Sequence, residues 1–189
     1  MNGVSSVLAA FGLSASAGLN AYIPLLIVSL MARFTNWVTL SEPWDALSSW
    51  WVIGALAILT LVEFFADKFP AVNHVNDVVQ SFVRPAAGAV LFAASTGAAT
   101  HIHPIVAIIA GLVVAGSVHA TKALAIRPAV TATTAGAGNV PISILEDVVA
   151  TVLSILAVVV PVLIAALMIV ITAFVVWWLW RRANQIQTA

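Results

Sequence analysis

From Ile142 to Trp180 the chain runs without a polar loop, and the only charged residues in it are Glu146 and Asp147. As one helix this run would be about 58 Å long at about 1.5 Å per residue, nearly twice the thickness of about 30 Å of a bilayer's hydrocarbon core. Two membrane spans that fold back on each other fit the length, and Pro161, in the centre of VVVPV, marks the turn. A chain holding such a run is committed to lipid. Its composition agrees: 62% hydrophobic and 7% charged residues, with a mean hydropathy of +1.12. Soluble domains average about 45–50% apolar and about 25% charged.

The same length criterion of about 20 apolar residues per span, applied along the chain, predicts an all-α, polytopic membrane protein with about six transmembrane helices in a single domain covering residues 1–189. The spans fall within residues 4–33, 50–67, 83–100, 104–124, 141–159 and 161–180. The first is too long for one straight helix, and Ala17-Gly18-Leu19-Asn20 followed by Pro24 predicts a break or kink over residues 17–24. Ser14-Ala15-Ser16-Ala17 imitates a signal-peptide cleavage site. However, no Lys or Arg precedes it and the apolar run resumes at once, so a retained segment is expected.

Cations orient the chain. With six spans and both termini on one side, Lys68, Arg84, Lys122, Arg127, Arg181 and Arg182 share that side and Arg33 alone falls opposite. By the positive-inside rule both termini are expected in the cytoplasm, in a bacterial inner membrane. Trp37, Trp44, Trp50 and Trp51 gather at the outer loop and Trp177, Trp178 and Trp180 at the inner face, as interfacial anchors.

Lys122 to Asp147 is the one long polar interruption, and it predicts a second broken region over residues 128–141. Irregular backbone at membrane depth survives only where protein or a water-filled cavity satisfies it. Glu63 and Asp67, four apart, share a helical face with Lys68 next to them; His119 and Lys122 share another, with Arg127 beyond. Glu146 and Asp147 lie too deep in their span for the helix dipole to account for both. Inserting one such charge costs about 2.5–3.5 kcal/mol, so a set of them must face the bundle interior, either as paired structural ions or as a site. Asn20 reads equally as a cavity-facing group or a cross-helix hydrogen bond, and Asn139 as a helix cap beside Gly-Ala-Gly amides that could hold an anion. The expected binding set is therefore Asn20, Glu63, Asp67, Lys68, His119, Lys122, Arg127, Asn139, Glu146 and Asp147.

Several classes of chemistry drop out. No cysteine occurs, the net charge is zero without a basic footprint for nucleic acid, and phosphate-loop, hydrolase-elbow and zinc-protease motifs are absent. His101 and His103 in HIHP read as a solvated turn, and no metal or other cofactor is expected. Short echoes, AGLN with AGAGN and the two Arg-Pro-Ala triplets at 84–86 and 127–129, do not amount to a simple inverted duplication.

AGLNAYIPLL, EFFADKFPAVNHVNDVVQSFVRPAAGA, ATKALAIRPAVTATTAGAGN and PISILEDV together resemble the bacterial membrane family called domain of unknown function 4126. The resemblance implies a small multi-pass protein and carries over no activity and no site residues. Function rests on the residues: a transporter or channel for a charged or zwitterionic solute or a lipid headgroup, with a proton as partner and a polar pocket open to the cytoplasm. Self-association into a homo-oligomer is allowed. One alternative is a lipid-phosphate enzyme using His74 or His119 with Arg84, Lys122 and Arg127; another is an assembly protein whose ion pairs only fix helix register.

Overall fold

The computed structural model describes residues 3–68, 70–97 and 100–187, with side chains outside 70–75, 77, 162–166, 168, 179 and 182–187. Its helices are α1 (Gly3–Leu19), α2 (Tyr22–Phe34), α3 (Trp50–Ala66), α4 (Pro70–Gly97), α5 (Pro104–Thr121), α6 (Arg127–Thr134), α7 (Asn139–Val159) and α8 (Pro161–Gln187). A short turn of helix, Trp44–Ser48, precedes α3, and a wide helical turn, Lys122–Ile126, carries α5 into α6 without a break. No strand occurs among the described residues. The architecture is all-α, as expected for apolar segments whose backbone groups must be satisfied internally.

Local chemistry sets the ends. Asn20 Oδ1 accepts from the backbone N–H of Tyr22 (3.1 Å) and Ile23 (3.0 Å), which starts α2 and leaves Pro24 in its first turn, where a missing N–H is harmless. Ser49 and His103 cap α3 and α5 in the same way. Ala135 (φ 50°) and Gly136 (φ 88°) take left-handed backbone that ends α6, with Gly136 N–H donating to Thr131 O. Val160 leaves the helical path before Pro161, where the turn was expected.

Side-chain bonds fix how the helices run. Ser14 Oγ donates to Gly88 O (2.9 Å) and the Phe11 ring meets Phe92 edge-on, so α1 is antiparallel to α4. Ser16 Oγ donates to Ala150 O (2.8 Å) and Asn20 Nδ2 to Asp147 Oδ1 (3.0 Å), so α1 is also antiparallel to α7. The far end of α2 lies beside the start of α3, where Arg33 Nη1 donates to Ser48 O (2.9 Å) and Phe34 packs on Trp50. The other end of α3 brings Glu63 to Arg84. Helices α1 and α2 therefore form a hairpin whose tip, Asn20-Ala21, points at the charged end of the bundle.

This corrects the reading of residues 4–33 as one interrupted span. The Gly3 end of α1 lies with Trp44, Phe92 and Ala107 at the end opposite the charges, not on their side. At 17 and 13 residues, α1 and α2 are about 25 Å and about 20 Å long. Three segments, Val78–Gly97, Pro104–Thr134 and Asn139–Val159, are long and apolar enough to cross a membrane, and Gly3–Leu19, Tyr22–Phe34, Trp50–Ala66 and Ile169–Trp178 are shorter apolar helices. The second expected break lies at Ala135–Gly138 only, because the helix continues through Pro128.

Away from the charges the bundle packs through small residues. A Cβ at Gly111 would collide with Gly88 O and Phe92 Cβ, so α4 and α5 touch backbone to backbone. Leu13, Ala17, Val28, Leu91, Ala115 and Ala157 fill the centre.

Candidate functional site

Nine of the ten residues expected in the site come together at the hairpin tip, joined by Arg84. Glu63 and Asp67 arrive from the end of α3, Lys68 from the turn after it, Arg84 from α4, His119 from the end of α5, Lys122 from the wide turn, Arg127 from the start of α6, and Glu146 and Asp147 from α7. Four of the chain's seven acids and four of its seven Lys and Arg residues stand here, so the cluster balances to zero with His119 neutral. Every one of these eight is buried or nearly so, and the side chains of Arg84 and Glu63 have no exposed surface.

Arg84 is the hub. Its Nη2 donates to Glu63 Oε1 (2.9 Å) and lies 3.7 Å from Asp67 Oδ2, and its Nη1 donates to His119 Nδ1 (3.3 Å). A guanidinium only donates, so Nδ1 must accept, and neutral His119 carries its proton on Nε2, 3.2 Å from Ser81 Oγ. Asp67 is saturated: Asn76 Nδ2 donates to Oδ1 (2.6 Å), while Arg127 Nη2 (3.3 Å) and Ser143 Oγ (3.5 Å) donate to Oδ2. Asp147 takes Asn20 on one oxygen and Lys68 Nζ (3.2 Å) on the other.

The widened turn at Lys122–Ile126 aims Lys122 inward, where Nζ donates to Leu19 O (3.1 Å), the last carbonyl of α1, and sits 2.7 Å from Glu146 Oε2. Such local widening recurs where a helix must present a functional side chain. Arg127 Nη2 stands 3.6 Å from the same oxygen, so Glu146 Oε2 faces two cations. Glu146 Oε1, Glu63 Oε2, Gln80 Oε1 and Arg84 Nε are buried with no hydrogen-bond partner in the protein.

Asn139 is the expected member that does not join. It opens α7 rather than capping it, and its Oδ1 accepts from Thr131 Oγ1 (3.1 Å) on an exposed face. The glycine-turn amides are spent internally as well: Gly138 N–H donates to Thr134 Oγ1, Asn139 N–H to Gly136 O and Ala137 N–H to Thr134 O. The hairpin tip thus meets α7 at Asp147, two turns in. Arg84 was legible as a cation, and its place inside the third apolar segment was the signal that it must be paired. Asn76, Gln80 and Ser143 gave no comparable signal.

Among the described residues, no group of three or more His, Cys, Asp or Glu could hold a metal ion. His103 caps α5 through Nδ1, and the His74 side chain lies outside the described residues. The charged side chains of the cluster close on one another. A cavity of about 940 Å³ between α1, α5 and α8 is lined almost wholly by apolar side chains, Phe11, Leu19, Val118 and Val176 among them, and touches the cluster at Lys122.

A bundle of apolar helices around a charge-balanced ionic core defines a multi-pass membrane protein with a polar interior. The chain belongs to the family described as Domain of unknown function (DUF4126), whose model matches residues 7–182. No curated protein and no solved structure matches it.

Proposed function

We propose that this protein is a small membrane transporter or channel for a charged or zwitterionic solute or a lipid headgroup, and that the ionic cluster is its solute site in a closed state. One observation carries the reading: Glu63 Oε2 and Glu146 Oε1 are buried without a hydrogen-bond donor, while Asp67 and Asp147 beside them are bonded at both oxygens. A network that served only to hold helices together would gain most by satisfying every member. Ionisable groups in the membrane interior, next to a helix hairpin, mark solute paths in transport proteins. In this reading a solute enters by trading places with an internal partner: its cation takes a glutamate and its anion takes Arg84 or Lys122.

Lys68, Arg84, Lys122 and Arg127 stand at the cluster end, so that end faces the cytoplasm of a bacterial inner membrane, and α1 begins from the other face. Reconstituted protein is expected to pass ions, protons or lipid phosphates in vesicle flux assays, with Glu63→Gln and Glu146→Gln each reducing the flux at least tenfold. Absence of flux for all three classes sinks the proposal.

The second reading, an assembly protein whose ion pairs set helix register, draws on the mutual pairing of all eight charges. It predicts that an apolar replacement of a whole pair leaves function intact. The enzyme alternative requires an open basic cavity beside His74 or His119; Arg84, bonded to His119, is buried, and the His74 side chain lies outside the described residues.

A further inference from the structure

Of the four acids in the cluster, Glu63 and Asp147 are each held by a single positive charge, and of these two only Glu63 lacks a second donor. Asp67 faces Arg84 and Arg127, Asp147 is bonded by Lys68 and Asn20, and Glu146 stands within 3.6 Å of both Lys122 and Arg127. Glu63 has a single ionic bond, to Arg84 Nη2, and that same nitrogen is also drawn toward Asp67. Its second oxygen, Oε2, is buried without any donor.

Tyr22 on α2 and Arg84 on α4 lie near Glu63, with Gln80 beside Tyr22, Asp67 one turn on along α3 and Lys122 at the end of α5 within electrostatic range. His119 is bonded to Arg84 on its other side. Of the unpartnered atoms here, Glu63 Oε2 and Gln80 Oε1 are acceptors, and Arg84 Nε is the donor left over. A buried acceptor left without a donor is strongly unfavourable, and a proton placed on a carboxylate oxygen turns that acceptor into a donor.

We propose that Glu63 Oε2 is a proton-binding site, and that its occupancy sets the charge of the cluster. The proton comes from water at the cluster end and a lone pair of Oε2 forms the new O–H bond. The carboxylate goes from −1 to 0, and Arg84 is released from Glu63 to Asp67 and to any incoming anion. The cluster passes from zero to +1. Because net charge is costly in a low-dielectric interior, an anion can enter without leaving net charge when the proton enters with it. This last step rests on reading the cluster as a solute site, whereas the proton site does not.

The test is an infrared pH titration of the full chain in liposomes, with glutamate carbon-13 labelling to separate Glu from Asp. As the pH falls, a protonated-carboxyl band is expected that shifts with labelled glutamate, is lost in Glu63→Gln and is retained in Glu146→Gln. If Glu63→Gln does not fold, Glu63→Asp decides, because it must move the band from glutamate-labelled to aspartate-labelled protein. A wild-type band insensitive to labelled glutamate, no band at any pH, or a band that survives Glu63→Gln overturns the proposal. Transport itself is judged by the flux assay, so a labelled band without flux leaves the proton site standing and removes the transporter.

Discussion

The two ends of this bundle hold together by opposite means. Around Trp44, Phe92 and Gly111 helices touch through glycine, alanine and aromatic edges, with almost no polar bonds between them. Around Arg84 the same helices are joined by eight charged side chains. Small-residue packing gains its energy from many weak contacts and tolerates small shifts. Ion pairs away from water gain little net energy over a well-packed apolar pair, yet they are severely destabilising when half broken. The apolar end is thus the fixed frame, and the charged end is where partner exchange has the larger consequence.

Breaking the charged end should have the largest effect. Arg84→Leu leaves Glu63 buried and unpaired, and a loss of about 3–5 kcal/mol is expected in detergent unfolding curves. Adding Glu63→Leu should recover most of that stability. If the double variant also keeps wild-type flux, the cluster is structural and the contrast between the two ends loses its functional meaning. At the apolar end, Gly111→Val forces α4 and α5 apart and should lower stability by about 1–3 kcal/mol, leaving the infrared signature of Glu63 unchanged. A change in that signature would mean the frame is not independent of the site. Smallest is Asn20→Ala, at the junction of the two regions: α2 loses its cap and Asp147 one donor, for about 1–2 kcal/mol by the same measurement.

Much of the charged end could be read from the chain, because physics leaves ionisable groups on apolar helices few places to go. Glu63, Asp67, Lys122, Arg127, Glu146 and Asp147 had to meet one another, and they do. Direction was harder to read. Nothing in AGLNAYIP separates a kink from a reversal, since Asn20 caps α2 equally well in either case; the reversal is decided by partners far along the chain, Gly88 and Asp147. Asn139 misled for a related reason. Its neighbouring glycines look like an anion cradle until Thr131 and Thr134, just upstream, are seen to use up the turn's hydrogen bonds.

The hairpin also bears on how the molecule is made. Ser14, Ser16 and Asn20 find their partners 74, 134, 138 and 127 residues later in the chain. Helix α1 therefore leaves the ribosome well before the partners of its polar groups, and its hydroxyl and amide groups are held by water or by the insertion machinery until α7 emerges. The arm that is made before its partners is settled only when they arrive.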